Sequence, residues 1–162
     1  MKVWITHSGE TEQAVVNPLK AVREELGLVP DKVIILTGSV GRTDVKEKAE
    51  LVKSKIEKDL GIMNVVIHPF DESNLNSYLE LLKEILKNNL HNEVYLDITP
   101  GRKYMSLFLG YYGATLALKR RGNIKGIFYL HLLDPRTYRN AEYEEIPKDK
   151  QILIDLLKYT FY

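Results

Sequence analysis

Residues 93–122 read EVYLDITPGRKYMSLFLGYYGATLALKRRG. Residues 93–98 (EVYLDI) are β-prone, and ITPGRK then supplies turn chemistry around Pro100 and Gly101. The rest is a long apolar run with helical spacing, expected to span 102–121 and to stop at Gly122. Strand, short polar loop and long helix make one β-α unit. The two cations that open the helix, Arg102 and Lys103, sit at its positive dipole end, where anions are favoured by about 0.3–1 kcal/mol each.

The same unit recurs along the chain. VWIT (3–6) is a first strand, followed by a helix to about Gly27 in which Asn17-Pro18 either kinks the helix or restarts it. KVIILT (32–37) is apolar enough to be buried on both faces. Thr43 is expected to cap a helix ending at Leu60-Gly61. MNVVIH (63–68) is strand three, with a helix over about 74–88, and GIFYLHL (126–132) is strand five. AEYEEI (141–146) alternates like an edge strand, and a short helix is expected over 149–159. The fold class is therefore α/β: a Rossmann-like, doubly wound, mainly parallel six-stranded sheet. It carries an antiparallel C-terminal edge strand and helices on both faces.

The 162 residues are expected to form one domain, 1–162, with 44% hydrophobic and 28% charged residues. A net charge of +1 gives no general field for nucleic acid, so direct DNA binding is not expected and any anion site must be local. The absence of cysteine excludes disulfides, thiolate metal sites and a Cys nucleophile. MKVWITHSG turns polar too soon for a signal peptide, and the apolar run 104–118 is shorter than the roughly 20 residues of a membrane span. A cytoplasmic protein without membrane contact is expected.

Ligands of doubly wound sheets bind beyond the carboxyl ends of the strands, where strand order reverses. With strand one beside strand four, the switch-point loops are THSGET (6–11) and ITPGRK (98–103), flanked by TGSVGRT (37–43). A cradle of backbone N–H groups with Arg102 and Lys103 suits a phosphate. Thr99, Pro100 and Gly101 complete that loop. Thr6, His7, Ser8, Gly9 and Thr11 bring hydroxyls, an imidazole and a small residue opposite it, and Gly38, Ser39 and Arg42 extend the rim. Each hydroxyl taken singly is better read as a local cap or turn former; together, opposite the Arg-Lys loop, they suit phosphate or ribose contacts.

Several other chemistries are excluded by spacing. Ser8 lies in no G-x-S-x-G elbow. TGSVGRT lacks the P-loop spacing, and no G-x-G-x-x-G follows strand one, so neither NTP hydrolysis nor NAD is supported and no cofactor is expected. Pro30-Asp31 with Asp44-Val45-Lys46 matches a loose metal-nuclease pattern, but Asp44 opens a helix rather than lying on a neighbouring strand. His7, His68, His91 and His131 show no ligand spacing, so no metal is expected. The helix over 102–121 is apolar nearly all round, which fits either deep burial or a second face packed on a two-fold mate. The homodimer is favoured.

The motif D97-I-T-P-G-R-K-Y-M-S106, with the hydroxyl-Gly loop after strand one, resembles the CRISPR-associated Rossmann-fold (CARF) family, and the likeness covers essentially the whole chain. The resemblance implies a dimer that binds cyclic oligoadenylate, most often the tetramer or hexamer, across its two-fold axis in type III CRISPR antiviral signalling. Some members, the ring nucleases, cleave the messenger without metal. By position, Lys103 matches the lysine that contacts phosphate and assists cleavage, and Ser8 matches the hydroxyl near the scissile ribose. Thr99, Gly101 and Arg102 match the remaining cradle. Pro100 departs from the Gly common in the family and removes one N–H donor.

Two expectations follow from the resemblance. The first is a stand-alone ring nuclease acting on cyclic tetra-adenylate, since no winged helix and no R-x4–6-H ribonuclease motif follows the sheet. The second is a non-catalytic sensor that regulates a partner protein. A generic nucleotide-binding domain is a third reading.

Overall fold

A computed structural model describes residues 1–121 and 123–159. Gly122, the expected helix stop, lies outside the described residues. The chain alternates strands and helices: β1 (Lys2–His7), α1 (Glu12–Leu26), β2 (Lys32–Thr37), α2 (Thr43–Leu60), β3 (Val65–Pro69), α3 (Leu75–Asn88), β4 (Glu93–Asp97), α4 (Lys103–Leu118) and β5 (Asn123–Leu132). Among the described residues a short helix α5 (Pro135–Tyr138), two 3₁₀ turns, β6 (Gln151–Asp155) and a third 3₁₀ turn complete it. The strand order is β3-β2-β1-β4-β5-β6, parallel except for the antiparallel β5–β6 pair. This is the Rossmann-like α/β sheet expected from the sequence, with β1 beside β4 and the direction reversing between them.

The period-2 pattern of the central strands explains the layers. Val3, Ile5, Ile34, Leu36, Val94 and Leu96 pack beneath α3 and α4. Trp4, Val33 and Ile35 point the other way, onto Val15, Val16, Leu19 and Val22 of α1 and Val52 and Ile56 of α2. Strands covered on both faces read as continuous apolar runs, which is why KVIILT shows almost no polar residue.

Four local expectations are corrected. Asn17-Pro18 does not restart α1: one helix runs through Pro18 to Leu26, capped by the Thr11 hydroxyl, which accepts the Ala14 N–H at 3.2 Å. The Asn17 side chain instead donates to the Ala141 carbonyl at 3.0 Å. Thr43 is the first helical residue of α2, not its cap; Arg42 takes the cap position and makes no side-chain capping bond. The edge strand is Gln151–Asp155, whereas residues expected to form it carry a 3₁₀ turn at Tyr143–Glu145. Glu142 explains the exchange. Its carboxylate holds Lys55 at 2.8 Å and Lys20 at 3.2 Å and accepts from the Gln13 amide, drawing this segment onto α1 and α2. The expected helix over 149–159 is reduced to short 3₁₀ turns flanking β6.

Candidate functional site

Parallel strands deliver their following loops to one rim, so β1, β2, β3 and β4 all end at the same edge of the sheet. A cavity of about 560 Å³ opens there. Among its lining residues are Ser8, Gly9, Gly38, Arg42, Gly101, Arg102 and Lys103, seven of the residues singled out from sequence. Lys48, Glu10, Asp44 and Glu72 also line it.

Beneath the loops that line the cavity lies a buried polar network. The Thr6 hydroxyl donates to Asp97 Oδ2 at 2.8 Å, and the Thr99 N–H donates to Oδ1 at 2.9 Å. Thr99 in turn accepts the Leu130 N–H at 2.9 Å, tying the loop to β5. Full burial pushes the Asp97 carboxyl up to about 7, against the opposing pull of the bonds from Thr99 and Thr6. His7 is equally buried, and loss of hydration lowers its imidazole to about 3, so the ring is neutral. The Tyr78 hydroxyl donates to the Met105 carbonyl at 2.8 Å, so it accepts from His7 Nε2–H at 2.9 Å. Tyr78 is thereby linked to the first turn of α4. His7 Nδ1 has no partner among the described residues. Thr6 and His7 therefore have no exposed surface and support the loops from below.

The rim loop after β4 is held in shape by its own sequence. Gly101 has φ +94°, a conformation that L side chains avoid, and a Cβ there would meet His7 Cβ at 3.1 Å. The Ser106 hydroxyl donates back to the Pro100 carbonyl at 3.1 Å. Arg102 is the N-cap of α4 but supplies no capping bond, so the first turn lacks a side-chain acceptor for its N–H groups. On the opposite loop, the Ser8 hydroxyl donates to Thr37 Oγ1 at 3.0 Å and its N–H to the Leu36 carbonyl at 2.9 Å.

Other expected residues lie apart from this cavity. Thr11, Thr99 and Pro100 line a neighbouring cavity of about 240 Å³ with Gly9 and Gly101, and Thr11 also caps α1. Ser39 is buried in the turn before α2, where its carbonyl accepts the Arg42 N–H at 2.9 Å.

Sequence reasoning missed Glu72. It follows β3, whose loop shares the rim, and it pairs with two of the cavity's cations. Glu72 Oε2 accepts from Arg42 Nη1 at 2.9 Å, and Oε1 accepts from Arg102 Nε. The cation left unexplained at the start of α4 thus faces a carboxylate supplied from another strand. Lys48, in the second turn of α2, was missed as well. Its signal was spacing from Arg42, which places both at the same end of that helix.

Four cationic side chains and first-turn amides around a cavity at the topological switch point suit a phosphorylated ligand. The family model of the Card1 CARF domain matches residues 11–156. The chain belongs to the CARF family. CARF domains bind cyclic oligoadenylate messengers of type III CRISPR signalling. No curated protein matches the chain. Among the described residues, no helix of this CARF domain is long and apolar enough to cross a membrane.

The start of α4 is the part of the CARF chain that joins the site to the surface. Lys103, Leu107, Tyr111 and Leu118 fall within about 80° of arc on the helix, and all four are exposed. Leu107, Tyr111 and Leu118 are 68, 61 and 57% exposed, an apolar stripe that begins one turn beyond the cavity lysine.

Proposed function

We propose that this CARF domain binds a cyclic oligoadenylate, most simply cyclic tetra-adenylate, in a cleft made by two copies of the chain, and that it cleaves the ring without metal. The observation that carries the reading is the convergence of Ser8, Arg42, Arg102 and Lys103 on one cavity of about 560 Å³. The exposed stripe of α4 supplies the contact between copies. Two such cavities related by a two-fold axis match a ring of phosphodiesters with the same symmetry.

RNA-type phosphodiesters carry their own nucleophile. In the proposed step, the ribose 2′-oxygen attacks the adjacent phosphorus and loses its proton to solvent. The P–O5′ bond breaks, and the leaving 5′-oxygen takes up a proton. The product ends in a 2′,3′-cyclic phosphate, and two such cuts convert the tetramer to two linear dimers. Lys103 neutralises the charge that accumulates on the non-bridging oxygens, and the Ser8 hydroxyl, turned from Thr37, holds the ribose and phosphate in line. Thr6, His7 and Asp97 keep the two loops in register from beneath. Catalysis then rests on alignment and charge, so turnover is slow.

The test is incubation with cyclic tetra-adenylate in excess EDTA beside Lys103→Ala and Ser8→Ala. Linear di-adenylate ending in cyclic phosphate, lost in Lys103→Ala, is expected. Binding without any product supports a second reading, a sensor that acts through a partner protein. Pro100 favours that alternative, because it removes one N–H from the anion cradle. Failure to bind either the tetramer or the hexamer refutes both.

A further inference from the structure

Glu72 projects from the turn between β3 and α3, and that turn is fixed on both sides. The Phe70 N–H donates to the Thr37 carbonyl at 2.9 Å, and the Val40 N–H donates to the Phe70 carbonyl at 3.2 Å. Asp71 accepts from both the N–H and the hydroxyl of Ser73, at 2.9 and 2.6 Å, and Asn74 caps α3. From this rigid base the Glu72 side chain crosses the rim and places one carboxylate oxygen on each of two arginines from different loops. Its path runs over Gly38, where a Cβ would lie 3.0 Å from both Glu72 Cβ and Oε2. A methyl group at position 38 would crowd Glu72 along its length, which must then give by a few tenths of an ångström.

A carboxylate bridging two guanidiniums with its two oxygens has the shape of a phosphodiester, which also offers two non-bridging oxygens and one negative charge. We infer that Glu72 is an internal stand-in for one phosphodiester of the ligand: it occupies the Arg42–Arg102 clamp in the free protein and is displaced when a ligand phosphate arrives. This rests on the reading of the cavity as a phosphate site and assigns both arginines to a single phosphodiester. Because the turn is fixed, displacement is a rotation of the Glu72 side chain, not a loop movement. Four cations and three carboxylates line the cavity, so the resting surplus is one positive charge, and removing Glu72 from it doubles that surplus. The stand-in sets a threshold: a clamp closed nine-tenths of the time weakens apparent ligand affinity about tenfold.

The inference inverts the usual expectation for a site residue, because deleting Glu72 should tighten binding. Glu72→Gln and Gly38→Ala are titrated beside the wild-type protein with cyclic tetra-adenylate and with inorganic tripolyphosphate. Both variants are expected to bind at least one of these anions about tenfold more tightly than wild type. If tripolyphosphate gains and no protein binds the ring, the stand-in holds and the cyclic oligoadenylate reading fails. If the wild type binds the ring and Glu72→Gln binds both anions equally or more weakly, Glu72 merely orients the arginines and the inference is overturned. No gain for either anion overturns it as well.

Discussion

Asp97 and His7 are fully buried on adjacent strands beneath the site, and their displaced titrations should oppose each other. Asp97 goes from about 7 in the folded chain to an ordinary 3.8 unfolded, and His7 from about 3 to 6.5. Between pH 4 and 6.5 the folded protein holds its proton on Asp97, while the unfolded chain holds one on His7. For Asp97, the raised value gives stability that is full below pH 3.8 and lost as pH rises through 7. For His7, the lowered value gives stability that is present above pH 6.5 and lost as pH falls toward 3. Each proton of difference is worth about 1.4 kcal/mol per pH unit. From pH 7.5 to 5, Asp97 therefore adds about 2.5 kcal/mol and His7 removes about 2 kcal/mol. Their sum is nearly flat in the wild type. Asp97→Asn keeps an acceptor for the Thr99 N–H, reverses the bond to Thr6 so that the amide donates to Oγ1, and carries no titration. His7→Gln keeps a donor for the Tyr78 hydroxyl. Urea unfolding at pH 7.5, 6.5, 5.5 and 5 should show Asp97→Asn losing about 2–3 kcal/mol relative to wild type as pH falls, and His7→Gln gaining about 2 kcal/mol. The other titrating groups cancel in these differences. Parallel profiles for all three proteins would refute the reasoning.

Gly101→Ala should cost about 2 kcal/mol, from backbone strain at φ +94° and the contact with His7 Cβ; differential scanning calorimetry reads it as a lower Tm, and an unchanged Tm counts against the required conformation. Thr11→Ala removes the α1 cap and should lower stability by about 1 kcal/mol in urea titration. Leu107→Glu with Tyr111→Glu should convert the proposed dimer to a folded monomer by light scattering and abolish ring binding. A double variant that stays dimeric places the interface elsewhere.

The fold was legible wherever a strand was buried on both faces, because a run such as KVIILT admits few other environments. It was least legible at the C-terminal edge. AEYEEI and QILID both alternate, and Ile152, Leu153, Leu156 and Leu157 also fit a helical period. Long-range pairing decided between them: Glu142 is held by Lys20 and Lys55, which leaves β5 free to pair with Gln151–Asp155. At the site, Lys103, Arg102, Ser8 and Arg42 were legible because cations and hydroxyls in Gly-containing loops after strands are locally conspicuous. Glu72 was not. A single glutamate in PFDESN carries no local sign of its role, which exists only once the loops after β2, β3 and β4 meet on one rim. Asp97 and Ser106 belong to a legible motif, but their work as buried support and loop stitch required the coordinates of their partners.

Lys103 and the apolar stripe share one unbroken helix, with consequences for how precisely the lysine is placed. Tyr111 lies about 12 Å along the axis from Lys103. A body seated on Leu107 and Tyr111 grips the same rod whose tip carries that ammonium group. A tilt of about 5° pivoting at Tyr111 moves the tip by about 1 Å, a sizeable fraction of a hydrogen-bond length. The stripe is thus a vernier for the cavity: small adjustments in seating, made well away from it, translate into the position of the Lys103 ammonium on its rim.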